Sequence, residues 1–170
     1  IEQAIDRLQH SLGALPFGSN LIHSPSEPNL EMDTVALYLA RGVRIVSASA
    51  FLDLTLPVVR YRASGLHRGP DGQIECRNKL LAKVSRVEVA RKFLAPAPKA
   101  MLDELVRLGH LTALQAELAL QVPMADDLTG EADSGGHTDN RPAITLFPSI
   151  VALRDRMMAE HRYERRPRVG

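Results

Sequence analysis

One cysteine, Cys76, stands in a chain of 170 residues. A single thiol excludes an internal disulfide framework, which fits a reducing cytoplasm. No apolar run approaches the roughly 20 residues that cross a bilayer, and no signal-peptide pattern opens the chain. No low-complexity tract argues for disorder. Charge of one sign is also missing: 21 basic and 20 acidic residues leave +1, so no overall field selects nucleic acid or a membrane surface. The basic run HRYERRPRV at 161–169 is local and reads as a solvated helix end rather than a nucleic-acid patch.

What is present suits one domain with a real core, since 45% of the residues are hydrophobic. Residues 1–12 carry an apolar stripe at positions 1, 4, 5, 8 and 12, the spacing of a helix face. Residues 15–22 read as a short buried strand, and 23–29 as a loop with two prolines. Asn29 is placed to cap a helix over 30–41. The stretch 43–50 is a β-branched strand ending in small residues; 54–66 is helical, with Pro57 in its first turn. RGPDGQ at 68–73 is a turn, 79–85 a third strand, and 87–93 a short helix. Residues 99–108 and 112–121 form a helical hairpin, the second helix opening with a Thr112-x-x-Gln115 capping box. A fourth strand covers 122–129, a long helix 144–161, and a fifth strand begins at 166.

Strands that alternate with helices, across connections long enough for parallel pairing, predict an α/β fold. The strands read as apolar runs, as in sheets covered on both faces. A doubly wound sheet and a (β/α)₈ barrel both satisfy this pattern. In both, ligands gather at the carboxyl ends of the strands. Asn20, His23, Ser47, Ser49, Lys83, Ser85 and the stretch 126–137 all fall there.

That last stretch lies in MADDLTGEADSGGHTDNRP, residues 124–142. Gly135 and Gly136 let the backbone reach positive φ and let a ligand approach the main chain, and successive N–H groups of such a turn can form an anion nest. His137 is a side chain that ordinarily titrates near neutrality. Asp126, Asp127, Glu131, Asp133 and Asp139 surround it in sequence. Carboxylates suit hard cations, but this spacing matches no metal loop, so no metal is assigned. Cys76 lacks a nearby histidine in sequence and is not read as a nucleophile. Arg60, Arg62 and Arg68 read as a solvated helix face, with docking of an acidic partner as the alternative.

PFGSNLIHSP at 16–25 and ADDLTGEADSGGHTDNRP at 125–142, together with VSASAFLDLT and LAKVSR, carry a family resemblance. The chain resembles the PfaD family, the trans-acting enoyl reductases of polyunsaturated fatty acid and polyketide synthases. These are related to flavin-dependent enoyl-ACP reductases and nitronate monooxygenases. The wider superfamily has Glu-Ala-Gly-Gly-His where this chain has Ala-Asp-Ser-Gly-Gly-His.

The resemblance implies an FMN-dependent (β/α)₈ TIM barrel. About half of it would be present, from just before the second strand to the start of the sixth, with a helical insertion over about 95–121. It implies that Asn20 hydrogen-bonds the flavin, that Ser134, Gly135 and Gly136 lie beside FMN, and that His137 is the active-site base or proton donor. Chemical reasoning adds Lys83 as a cation facing the pyrimidine edge of the ring, with His23 and Ser49 on the substrate side. The implied reaction reduces a 2-enoyl thioester on an acyl carrier protein with NADPH. The implied partner is a polyketide or fatty acid synthase; a homodimer is left open, and neither nucleic acid nor membrane is expected. A nitronate monooxygenase is the alternative enzyme, and a catalytically inert fragment or interaction module is the alternative from another class.

Overall fold

A computed structural model describes residues 1–131 and 142–170. The elements run α1 (Glu2–Leu12), β1 (Gly18–Ile22), α2 (Pro28–Ala40), β2 (Ile45–Ser49), α3 (Leu56–Ala63), β3 (Leu66–Arg68), β4 (Ile74–Cys76) and β5 (Lys79–Val84). They continue with α4 (Val87–Leu94), α5 (Lys99–Arg107), α6 (Ala113–Ala119), β6 (Asp127–Gly130), α7 (Ala143–His161) and β7 (Arg168–Val169). Five strands form one sheet in the order β1-β2-β5-β6-β7, and every neighbouring pair is parallel. The short strands β3 and β4 pair antiparallel as a separate hairpin. The chain therefore has the expected α/β fold built on a parallel sheet.

Period-two patterning decides which face of the sheet is dry. Leu21, Val46, Ala48, Leu80, Ala82, Val84 and Leu128 share one face and are all buried. They pack with Val35 and Tyr38 of α2, Val58 and Val59 of α3, Phe93 of α4, and Ile150 and Leu153 of α7 in one core. Gly130 of β6 faces Leu146 and Ile150 of α7, where a Cβ would stand 3.4 Å from Ile150 Cδ1, in ordinary van der Waals contact. The opposite face carries Asn20, Ile22, Ile45, Ser47, Lys79, Leu81, Lys83 and Asp127, all half-buried or exposed. The expectation of a sheet covered on both faces is thus corrected: among the described residues the helices cover one. Ile22, Ile45 and Leu81 on the open side made strict alternation read as apolar runs.

Local signals were right where the backbone had one solution. Pro57 sits in the first turn of α3, and Thr112 and Gln115 make both hydrogen bonds of the capping box. The first strand begins at Gly18 rather than 15 and the last at Arg168 rather than 166, and three further assignments shift for identifiable reasons. α2 starts at Pro28 with Glu27 at the cap, because proline's fixed φ suits a first turn; Asn29 is inside the helix rather than capping it. The helix over 54–66 stops at Ala63, and Leu66 opens the β3–β4 hairpin whose tip is the predicted turn. The fourth strand begins only at Asp127, since the N–H groups of Met124 and Ala125 are donated to Ala95 and Phe93 beside α4.

Candidate functional site

The carboxyl ends of β1 and β2 are tied together by polar contacts. Asn20 stands on the open face of β1 beside Ser47. Its backbone carbonyl accepts the Tyr38 hydroxyl at 2.8 Å, which fixes the strand against α2. Its side-chain oxygen accepts the hydroxyl of Ser49, the last residue of β2, at 2.8 Å. The His23 N–H is donated to the Ser49 carbonyl at 3.1 Å, continuing the parallel ladder one residue past β1. Directly after Ser49, Ala50 adopts φ 64°, a conformation unfavourable for a residue with a Cβ and one that tends to persist at ligand-facing turns.

His23 itself leans toward the helices. Its Nδ1 lies 2.9 Å from Glu31 Oε2, and its ring packs on Phe51 with 5.3 Å between centroids. Glu31, from α2, is 6% exposed. Its second oxygen accepts the Thr55 hydroxyl. A carboxylate so buried needs such partners, so this contact joins the loops after β1 and β2 to the helix layer. The sequence reading missed Glu31, Thr55 and Tyr38. Glu31 sits in the first turn of α2, where acidic residues are ordinary, and only the tertiary contact marks it.

Lys83 lies on the open face near the end of β5, and its Nζ is 2.7 Å from Glu131 Oε1. Glu131 follows β6, its N–H donated to the Val84 carbonyl at 2.8 Å. Lys83 follows Ala82, and Ser49 follows Ala48, the two residues paired across β2 and β5. Asn20, Ser49 and Lys83 therefore succeed one another across the sheet, presenting amide, hydroxyl and ammonium groups on one side. Ser134, Gly135, Gly136 and His137, with Asp133 and Asp139, lie outside the described residues. Among the described residues no group of three His, Cys, Asp or Glu side chains could hold a metal ion.

Several carboxylates and arginines do not belong to this end. Asp126 is at the amino-terminal end of β6, where its Oδ2 accepts from Arg62 Nη1 at 2.5 Å and from the Leu80 N–H at 3.0 Å. Asp127 takes a bidentate contact from Arg168 at 2.6 and 2.7 Å. Both acids brace the amino-terminal end of the sheet, away from the carboxyl ends of the strands, which corrects their placement around a ligand. Arg62 is 4% exposed and also donates to the carbonyls of Asn78 and Pro123, so it is no solvated docking residue. The Cys76 thiol donates to the Asn78 carbonyl at 3.0 Å, and burial pushes its pKa up. A cavity of about 630 Å³ opens at this same end, lined by Arg62, Cys76, Lys79, Asp126, Tyr163 and Arg168 among others. It is the amino-terminal mouth of the open sheet face, opposite the end where parallel α/β sheets hold ligands.

No protein-family model matches the chain. Individual proteins do. The chain is 50% identical over 172 residues to one of the polyunsaturated fatty acid synthase subunits of Thraustochytrium sp., and 52% identical over 172 residues to another of that organism's synthase subunits. It is 46% identical over 171 residues to the polyketide biosynthesis protein PksE of Bacillus subtilis. Each alignment takes in 100% of this chain, but only 12%, 8% and 22% of the relative. Among solved structures, the enoyl reductase domain of MlnA, from the macrolactin biosynthesis cluster of Bacillus amyloliquefaciens, shares 35% identity with a TM-score of 0.93. That match covers 99% of this chain and 38% of the other. The chain therefore spans less than a quarter of the curated relatives it matches, and it is homologous to a segment that they share.

Proposed function

We infer that this chain, homologous to a segment of polyunsaturated fatty acid synthase subunits, of PksE and of the MlnA enoyl reductase domain, carries part of the cofactor site of an enoyl reductase. The observation that carries the reading is the convergence of Asn20, Ser49 and Lys83 on the uncovered sheet face, at the carboxyl ends of β1, β2 and β5. The reaction proposed is reduction of a 2-enoyl thioester held on an acyl carrier protein, with NADPH as reductant, in trans to a polyketide or polyunsaturated fatty acid synthase.

The residues present fit FMN. The amide of Asn20 and the ammonium of Lys83 are hydrogen-bond donors on the open face, and a flavin's polar edge offers acceptors. When bound, FMN would supply hydride chemistry from NADPH to the β-carbon of the enoyl group. Asn20 would orient the ring, and Lys83 would favour negative charge near it. His137, outside the described residues, is the proposed donor of the proton that reaches Cα. The strand order β1-β2-β5-β6-β7 never reverses, whereas a doubly wound sheet reverses at its switch point. This supports a partial (β/α)₈ barrel, with α5 and α6 as its inserted hairpin and the open face as its interior.

The test uses the full-length protein, with all sequence that flanks this segment. The purified protein is expected to retain FMN through desalting, to be bleached by NADPH, and to recover its colour with crotonyl-N-acetylcysteamine while yielding the butyryl thioester. NADPH oxidation without reduction of any enoyl thioester would overturn the reductase reading. Turnover of a nitronate with O₂ instead would favour the monooxygenase.

A further inference from the structure

We propose that Ser49 is a positioning residue that turns the Asn20 amide so that its NH₂ group, and not its carbonyl, faces the ligand. With Lys83 alongside, this makes the end of the sheet a row of donors selective for a ring edge that carries acceptors. The proposal rests on the FMN reading and states which end of Asn20 serves it.

An asparagine side chain has two ends of nearly equal shape and opposite hydrogen-bonding character. A neighbour must choose between them, and here the neighbour is a hydroxyl. Ser49 is only 6% exposed, so its O–H needs an acceptor within the protein. Asn20 Oδ1, at 2.8 Å, is that acceptor. In the reversed orientation the Asn20 NH₂ would point at Ser49 Oγ, and the buried hydroxyl proton would lose this acceptor. The Ser49 carbonyl is already used by the His23 N–H, and the Asn20 carbonyl by the Tyr38 hydroxyl. Both backbones are held, so the side-chain contact is set by strand pairing rather than by a loop. The amide NH₂ is the end left to the open face. Lys83 carries donors only, and its charge is balanced by Glu131 at 2.7 Å. An anionic or acceptor-rich ring edge matches this row; an edge of N–H groups does not.

The experiment measures FMN affinity by fluorescence quenching, and the reduction potential of the bound flavin, in the full-length protein. Ser49→Ala is expected to weaken FMN binding about three- to tenfold, the range of one neutral hydrogen bond, and to shift the potential negative. Ser49→Thr, which keeps the hydroxyl, is expected to restore both. Asn20→Asp preserves shape but removes both donors, and is expected to cost more than Ser49→Ala. It lies on the exposed face, so it reports even if the Ser49 variant fails to fold. Wild-type affinity and potential in Ser49→Ala, or undiminished binding by Asn20→Asp, would overturn the positioning role while leaving the flavin reading in place. A wild-type protein that takes up no FMN would overturn the flavin reading and this proposal together.

Discussion

Arg62 and Asp126 close an ion pair at the amino-terminal end of β6, with 2.5 Å between guanidinium Nη1 and carboxylate Oδ2. The arginine comes from α3, and the acid precedes β6 by one residue. The pair links elements 64 residues apart. Asp126→Ala would leave a buried guanidinium with only carbonyl partners and would take the acceptor from the Leu80 N–H. The expected loss is about 3 kcal/mol, read as a lower urea midpoint with an unchanged m-value.

Gly65 is a second structural test. A Cβ there would lie 2.6 Å from the backbone nitrogen of Asn78, and backbone cannot step aside as a flexible side chain can. Gly65→Ala is expected to cost about 1–3 kcal/mol by overpacking. Ala63→Gly, in the helix just before it, loses helix propensity and a fully buried methyl and should cost about 1–2 kcal/mol, with no clash to relieve. Thermal unfolding of the two variants side by side separates the effects.

Stability should fall in alkali. Burial raises the pKa of the Cys76 thiol and of the Tyr61 phenol, whose hydroxyl donates to the Val43 carbonyl at 3.0 Å. A raised native pKa means that the unfolded chain releases its proton first. The contribution is therefore intact below the ordinary thiol range and is lost progressively from there up through the raised native values. Urea titrations at stepped pH should show the decline. Tyr163, also raised by burial, should join Tyr61 in a late phenolate absorbance transition. At neutral pH, Cys76 should react slowly with a thiol reagent in the folded protein and quickly once unfolded.

Lys83→Met in the full-length protein is expected to weaken FMN binding roughly tenfold or more, the scale of a hydrogen bond to a charged group. It would also leave Glu131 without this cation. Lys83→Arg keeps the charge and should recover part of the loss. Flavin affinity untouched by Lys83→Met would remove the lysine from the site.

His137→Ala tests the proton donor. The NADPH half-reaction should survive, and transfer to the enoyl thioester should slow by about 10²–10⁴-fold. Equal rates for wild type and variant, with FMN bound, would reassign the donor.

Much of this was legible in residue order. The strands over 43–50 and 79–85 and the helix over 87–93 could be read from periodicity, because burial on one side imposes it. The capping box at Thr112 was legible because its two hydrogen bonds are local. Asn20, Ser49 and Lys83 could be named as candidates, since a strand's carboxyl end is a position in sequence as well as in space. The role of Asp126 could not be read so. It shares a run of sequence with Asp127 and Glu131, yet it serves the amino-terminal end of the sheet, because β6 begins directly after it.

The sequence by itself determined the α/β class, the parallel strands and the polar residues that end them, since hydrophobic period and connection length constrain both. Tertiary structure alone decided which face of the sheet lies open, that Arg62 is buried against Asp126, that Glu31 holds His23, and that Ser49 holds Asn20. Those four facts depend on pairing register and on helix packing between residues far apart in the chain. No local propensity encodes a hydrogen bond between residues 20 and 49; it exists because β1 lies beside β2 in this register, and in no other.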